Sequence, residues 1–235
     1  MEPEEITISV GGEIGEVGKE NSDENELRAY LDNFNELLNR EDKGARSISK
    51  ISIQTGTSHG GVPGPDGKVV EVNLDFECLE NLSRIARQDY GLAGAVQHGA
   101  STLPRDLFNK FPELETAEIH LATDFQNMIY DNELFPEDFK KEIYVHLRKK
   151  FASEKKETDT DEQFIYKTRK KGFGEFKSKF WELSNEIRTE IGSNLQKKVE
   201  HLFTQLKVED TLEVTKRTTP LVKVLPNLAQ EIASA

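Results

Sequence analysis

The sequence predicts an α/β chain, a parallel sheet of about four strands followed by a helical region, and three observations predict it. Four short apolar segments, at 6–10, 48–54, 92–96 and 117–122, are rich in Ile, Val, Leu or Ala and bounded by glycine or polar clusters, as strands buried on both faces are. Helical patterns lie between them, and a strand–helix–strand succession implies parallel strands joined by crossovers. From Pro136 onward the pattern is almost wholly helical and charged.

The first helix is marked by Leu27, Tyr30, Leu31, Phe34, Leu37 and Leu38, which recur at helical spacing. The second is marked by Phe76, Leu79, Leu82, Ile85 and Ala86, with Asp75 as N-cap and Gly91 as its stop. In the last third, Phe139, Ile143 and Leu147 form one stripe, and Ile187, Ile191, Leu195, Val199, Leu202 and Leu206 form a longer one. A helical region is therefore expected at about 132–215, interrupted by a charged linker at 155–162 and followed by a polar tail after Thr218. Phe173, Phe176, Phe180 and Trp181 are spaced for helix packing and are expected in the core. His146 and His201 lie on predicted helices without metal-like partners. No internal repeat is evident.

Composition narrows the function classes. The 235 residues are 35% hydrophobic and 31% charged, with no apolar run near the roughly 20 residues of a spanning helix. The N-terminus lacks the charged start and apolar centre of a signal peptide, so a cytoplasmic protein is expected, with no membrane partner. The single cysteine, Cys78, excludes an internal disulfide and a cysteine-based zinc site, leaving His and carboxylate as metal donors. A net charge of −12 argues against nucleic acid as a partner; the basic run Lys167, Arg169, Lys170 and Lys171 is expected to be a solvated face.

The residues that carry chemistry sit at the C-terminal ends of the predicted strands, where parallel α/β folds place their sites. The first strand runs into Gly12-Glu13-Ile14-Gly15, the second ends in Ser58-His59-Gly60-Gly61, the third in His98-Gly99-Ala100-Ser101, and the fourth in Thr123-Asp124. Two histidines and a carboxylate at equivalent strand ends outline a zinc site, since neutral imidazole suits that metal. Gly60, Gly61 and Gly99 let backbone N–H groups approach an anion. Ser101 and a helix starting near Pro104 would add a hydroxyl and a positive dipole end, together a phosphate cradle.

Four ordered strings, Glu-Ile-Gly-Glu-Val-Gly at 13–18, Gly-Thr-Ser-His-Gly at 56–60, Leu-Asp-Phe at 74–76 and His-Gly-Ala-Ser at 98–101, resemble the class II fructose- or tagatose-bisphosphate aldolases over about residues 6–130. The resemblance implies the C-terminal part of a TIM (β/α)8 barrel, about four βα units at 1–131, followed by a helical extension at 132–235. It implies that His59 and His98 are two of three histidine ligands of a catalytic Zn2+, with Glu13 at or beside the metal. Gly60, Gly99, Ser101 and Thr123 would hold a substrate phosphate, and Asp124 would line the substrate pocket. The implied activity is aldol cleavage or condensation of a ketose (bis)phosphate, with a phosphorylated ketose or dihydroxyacetone phosphate as the ligand, by a full-length homodimer.

Departures from the family pattern qualify this. Where the family commonly has Asn-x-Asp-Thr-Asp, the sequence reads His120-Leu121-Ala122-Thr123-Asp124, and Gly11 stands where a further carboxylate is often found. The family's Asp-His pair, supplying the proton-transfer group and the third histidine ligand, does not occur in the sequence. The expectation is a C-terminal portion of the enzyme, weak or inactive alone. The alternative is a non-catalytic sugar-phosphate-binding or assembly protein that kept the pocket.

Overall fold

The structure, a computed structural model, describes residues 8–16, 20–56, 62–70 and 74–221. In chain order its strands are β1 (Gly11–Glu13), β2 (Lys50–Ile53), β3 (Val62–Pro63), β4 (Val69–Val70), β5 (Ala95–Gln97) and β6 (Glu118–Ile119). β3 and β4 form an antiparallel hairpin. The other four form one parallel sheet in the order β1-β2-β5-β6, so each strand of this sheet is laid beside the one before it. The crossovers are helical: α1 (Glu24–Glu41), α2 (Phe76–Gln88) and the short α3 (Lys110–Glu113). This winding in one direction is that of part of a TIM-like fold.

β1 begins at Gly11, immediately after the predicted segment 6–10, of which residues 6 and 7 lie outside the described residues. Ile8 and Val10 are more than half exposed, and the strand is built on Gly11, Gly12 and Glu13. Backbone pairing decides this: Ser49 N–H donates to Val10 O at 2.8 Å, and the ladder continues with Gly11 opposite Lys50. Gly12 suits the position because a Cβ there would lie 2.7 Å from Tyr30 Oη and 2.9 Å from Ile48 Cδ1. The absent side chain lets α1 settle on the strand.

α1 opens with a capping box, Asp23 accepting from Glu26 N–H while the Glu26 carboxylate accepts from Asp23 N–H, and it buries Leu27 and Leu31 completely. α2 starts as its sequence predicts, with Asp75 Oδ1 accepting from Cys78 N–H at 2.9 Å. It stops at Gly91, whose φ of +67° allows its N–H to reach Arg87 O at 3.1 Å. α2 packs onto β2 and β5 and α1 packs against α2, in one core that holds Leu27, Leu31, Ile51, Leu79, Ile85 and Ala95.

The remaining chain is helical: α4 (Thr123–Tyr130), α5 (Glu137–Lys150), α6 (Asp161–Thr168), α7 (Gly172–Glu175), α8 (Lys177–Trp181), α9 (Asn185–Gln205) and α10 (Leu212–Thr218). A second core of Tyr130, Phe135, Ile143, Leu147, Phe164 and Ile165 gathers Phe139, Phe173, Phe176 and Phe180 around it. Trp181 is not part of it; the ring is 70% exposed, with Lys177 Nζ 4.8 Å above it. The predicted linker at 155–162 ends early, because Thr160 and Gln163 form a second capping box that starts α6 at Asp161. α9 returns to the sheet, and its Leu202 joins the first core. Among the described residues no helix is long and apolar enough to cross a membrane.

Candidate active site

Register brings the strand ends together. Gln97 of β5 lies opposite Ile119 of β6, and His120 N–H donates to Gln97 O at 2.9 Å. The residues that follow each strand, His98 and His120, are therefore neighbours, and their rings stack with centroids 4.3 Å apart. On the other side of β5 lies β2, then β1, whose last residue Glu13 places Oε1 3.4 Å from His98 Nδ1. His98 thus has Glu13 on one side and His120 on the other at the C-terminal edge of the sheet.

A buried polar floor supports them. Thr55 Oγ1 donates to Gln97 Oε1 at 2.7 Å, and Gln97 Nε2 donates to His98 O at 2.5 Å; both floor residues are fully buried. Gln54 Oε1 accepts from Thr55 N–H at 3.0 Å. Satisfied buried polar groups of this kind fix geometry, because moving one strands its partner without water. His120 is held from outside by Glu118, which also binds Lys50. Lys50, and then His120, hold the Glu118 carboxyl below the usual carboxylate range.

Beside the histidines opens a cavity of 340 Å3 lined by His98, Gly99, Ser101, His120, Thr123 and Lys170, among others. Gly99 has φ +72° and turns the chain into a 3-10 turn, Ala100–Thr102. Ser101 is buried; its Oγ accepts from Ala122 N–H at 2.9 Å, which leaves the hydroxyl proton to donate. α4 starts at Thr123 with no side-chain cap. Its first-turn N–H groups therefore lack a side-chain acceptor, and with Thr123 bordering the cavity this is a place where an anion is favoured. Near Pro104 only a 3-10 turn, Arg105–Leu107, forms in place of the predicted helix.

Lys170 is a residue that periodicity did not assign to a site. The other three cations of its run are spent on carboxylates: Lys167 on Asp159, Arg169 on Asp131 and Lys171 on Glu154. Arg169 is in fact buried, with bonds of 2.6 and 2.9 Å to Asp131 and 2.6 Å to Asn127, so the run is not uniformly a solvated face. Lys170 has no carboxylate partner among the described residues and lines the cavity. Its signal in the sequence was only a basic cluster.

Residues 3–204 match the family model Fructose-bisphosphate aldolase class-II. The chain belongs to the class II fructose-bisphosphate aldolase family. No curated protein matches it. The match extends through the sheet and most of α9, so it takes in helices as well as strand ends.

Class II aldolases are generally zinc-dependent, and His98 and Glu13 offer the nitrogen and oxygen donors that zinc accepts. Among the described residues no three His, Cys, Asp or Glu side chains converge as a metal cluster. His59 and Gly60, the other metal and phosphate residues expected from the sequence, lie outside the described residues. Asp124 is not among the residues that line the cavity beside His98. Its Oδ2 is 2.7 Å from Nζ of Lys198, a side chain only 4% exposed on α9, and it faces a separate cavity of 780 Å3 shared with Arg105, Asn127 and Lys197.

Proposed function

We propose that the chain takes part in zinc-dependent aldol cleavage or condensation of a phosphorylated ketose. One observation carries this reading: Gly99, Ser101, Thr123 and Lys170 border a single cavity directly beside His98. His59, His98 and Glu13 would hold the metal, which when bound supplies Lewis-acid polarisation of the substrate ketone. The protein's own share is orientation. The Ser101 hydroxyl, the uncapped start of α4 and the Lys170 ammonium bind the phosphate and hold the neighbouring carbonyl at the metal side of the cavity. Gly60 and the backbone at Gly99 would complete the cradle. Proton transfer is assigned to no residue here, since the sequence contains no Asp-His pair. Asp124 would act on substrate only indirectly, through the α4 end that Lys198 steadies.

The test is calorimetry with zinc and then dihydroxyacetone phosphate. His98→Ala is expected to remove high-affinity zinc binding. Lys170→Met is expected to weaken triose-phosphate binding about tenfold or more, as loss of one charge-assisted bond does, with zinc affinity unchanged. Equal triose-phosphate affinity in Lys170→Met and the wild type would refute the cavity as the phosphate site.

A second reading has its own observation. His120 occupies the place of the family's usual Asn, and its ring is already stacked on His98 and bonded to Glu118. A protein that binds sugar phosphates without turning them over fits that arrangement. It predicts phosphate binding that is indifferent to zinc and to chelators.

A further inference from the structure

α4 separates two cavities and sorts charge between them. Thr123 and Gln126, on one face of the helix, border the cavity beside His98. Asp124, Asn127, Met128 and Asp131, at helical spacing on another face, border the 780 Å3 cavity on the α9 side. Among the described residues no Asp or Glu lines the cavity beside His98, where Lys170 supplies an ammonium. Asp124 nevertheless follows Thr123 directly in the first turn of α4. The first-turn N–H groups and the positive end of the helix attract a carboxylate there as they attract a phosphate. Lys198 gives Asp124 a different partner: its ammonium lies 2.7 Å from Asp124 Oδ2, on a side chain only 4% exposed. The ammonium is also 5.5 Å from the centroid of the buried Phe108 ring. Stability alone does not explain so deeply placed a charge, since an apolar side chain of similar length avoids the desolvation cost. On its other side the start of α4 is tied by Ala122 N–H donating to Ser101 Oγ, within the cavity wall.

We propose that Lys198 is a positioning residue for phosphate binding: it draws the Asp124 carboxylate to the α9 side of α4 and cancels its charge, leaving the start of the helix to a phosphate dianion. This rests on the phosphate reading of the cavity given above. Carboxylate and phosphate compete for the same N–H groups, and an uncancelled Asp124 repels a phosphate held at its neighbour Thr123. The repulsion passes through partly buried protein, where water and salt screen it less than at the surface. α9 supplies no residue to the cavity beside His98 among the described residues, yet through Lys198 it sets the charge at the cavity's edge.

Dihydroxyacetone phosphate would be titrated calorimetrically into the full chain, with zinc present, for the wild type, Lys198→Met and the double variant Lys198→Met/Asp124→Asn. Lys198→Met is expected to bind it about tenfold more weakly, the order of one partly screened like-charge interaction. The double variant is expected to recover to within about twofold of the wild type, because asparagine keeps the shape of Asp124 without its charge. Recovery separates charge from folding. Both variants lack the ion pair, so a role confined to holding α4 in place would leave the double variant as weak as the single one. Equal affinity in Lys198→Met and the wild type, or no recovery in the double variant, would overturn the inference. The phosphate reading would still stand if Lys170→Met had lost affinity as expected above. Absence of binding by the wild type would defeat the phosphate reading and this inference together.

Discussion

At the residue scale, Lys198 and Asp124 form a pair in which the two substitutions are not equivalent. The ammonium is nearly sealed from water between α9, Asp124 and the Phe108 ring, whose centroid is 5.5 Å away. Removing the carboxylate strands a buried charge, whereas replacing the lysine with an apolar chain of similar length strands only a partly exposed Asp. Asp124→Ala is therefore expected to cost about 3 kcal/mol and Lys198→Met about 1 kcal/mol or less. Urea unfolding of both variants checks the order; equal losses would mean that water screens the pair. Cys78 makes a pH prediction. Burial, and then Asp75 and Asp23, push its thiol up to about 11, and the thiol donates to Ser22 O at 3.3 Å. Folding holds this proton more tightly than the unfolded chain does. The associated stability is full below the unfolded value of 9.0 and is lost as pH rises through the folded value of about 11. Alkylation by iodoacetamide at pH 7.5 should run about a hundredfold slower than for an unperturbed thiol, roughly the ratio of thiolate fractions.

At the element scale, the junction of α2, β5 and the approach to β6 turns on Ser83 and Gly94. Ser83 Oγ donates to Glu115 O at 2.9 Å and accepts from Ala95 N–H at 3.1 Å, so one hydroxyl ties a helix to two neighbouring strand starts. Gly94 has φ +135°, and a Cβ there would lie 2.8 Å from that hydroxyl and 3.0 Å from Glu115 backbone O. Gly94→Ala should cost roughly 2–4 kcal/mol, combining backbone strain with overpacking, and Ser83→Ala about 1–2 kcal/mol. Thermal melts of the two variants measure this. The helices were legible in the sequence because apolar spacing and caps such as Asp75 and Gly91 are local signals. β1 was displaced because its position follows from pairing with β2 across nearly 40 residues, which the apolar run 6–10 does not encode. His98, Gly99, Ser101 and Thr123 were legible as strand-end chemistry and do border one cavity. Lys170 and the partner of Asp124 were not, because residues 47 or more positions downstream reach them only through the packing of α6, α7 and α9. His120 read as a departure, and only register reveals that it lies against His98.

At the scale of the whole molecule, the question is whether the sheet and the C-terminal helices fold as one. The two apolar cores are separate clusters, yet α4 belongs to both: Phe125 packs against the first and Tyr130 is at the centre of the second. An eight-residue helix without a side-chain cap has little stability of its own, so each core depends on the other to hold α4 in place. α9 adds a second tie, with Leu202 in the first core and Lys198 on Asp124. Unfolding is therefore expected in one cooperative transition, with calorimetric and van't Hoff enthalpies equal. Leu202→Ala should lower the whole transition by about 2–4 kcal/mol of stability, as a buried leucine truncation does, without splitting it. A two-step melt, with the early step sensitive to Leu202→Ala and the later one not, would mean that the helices are an independent unit resting on the sheet.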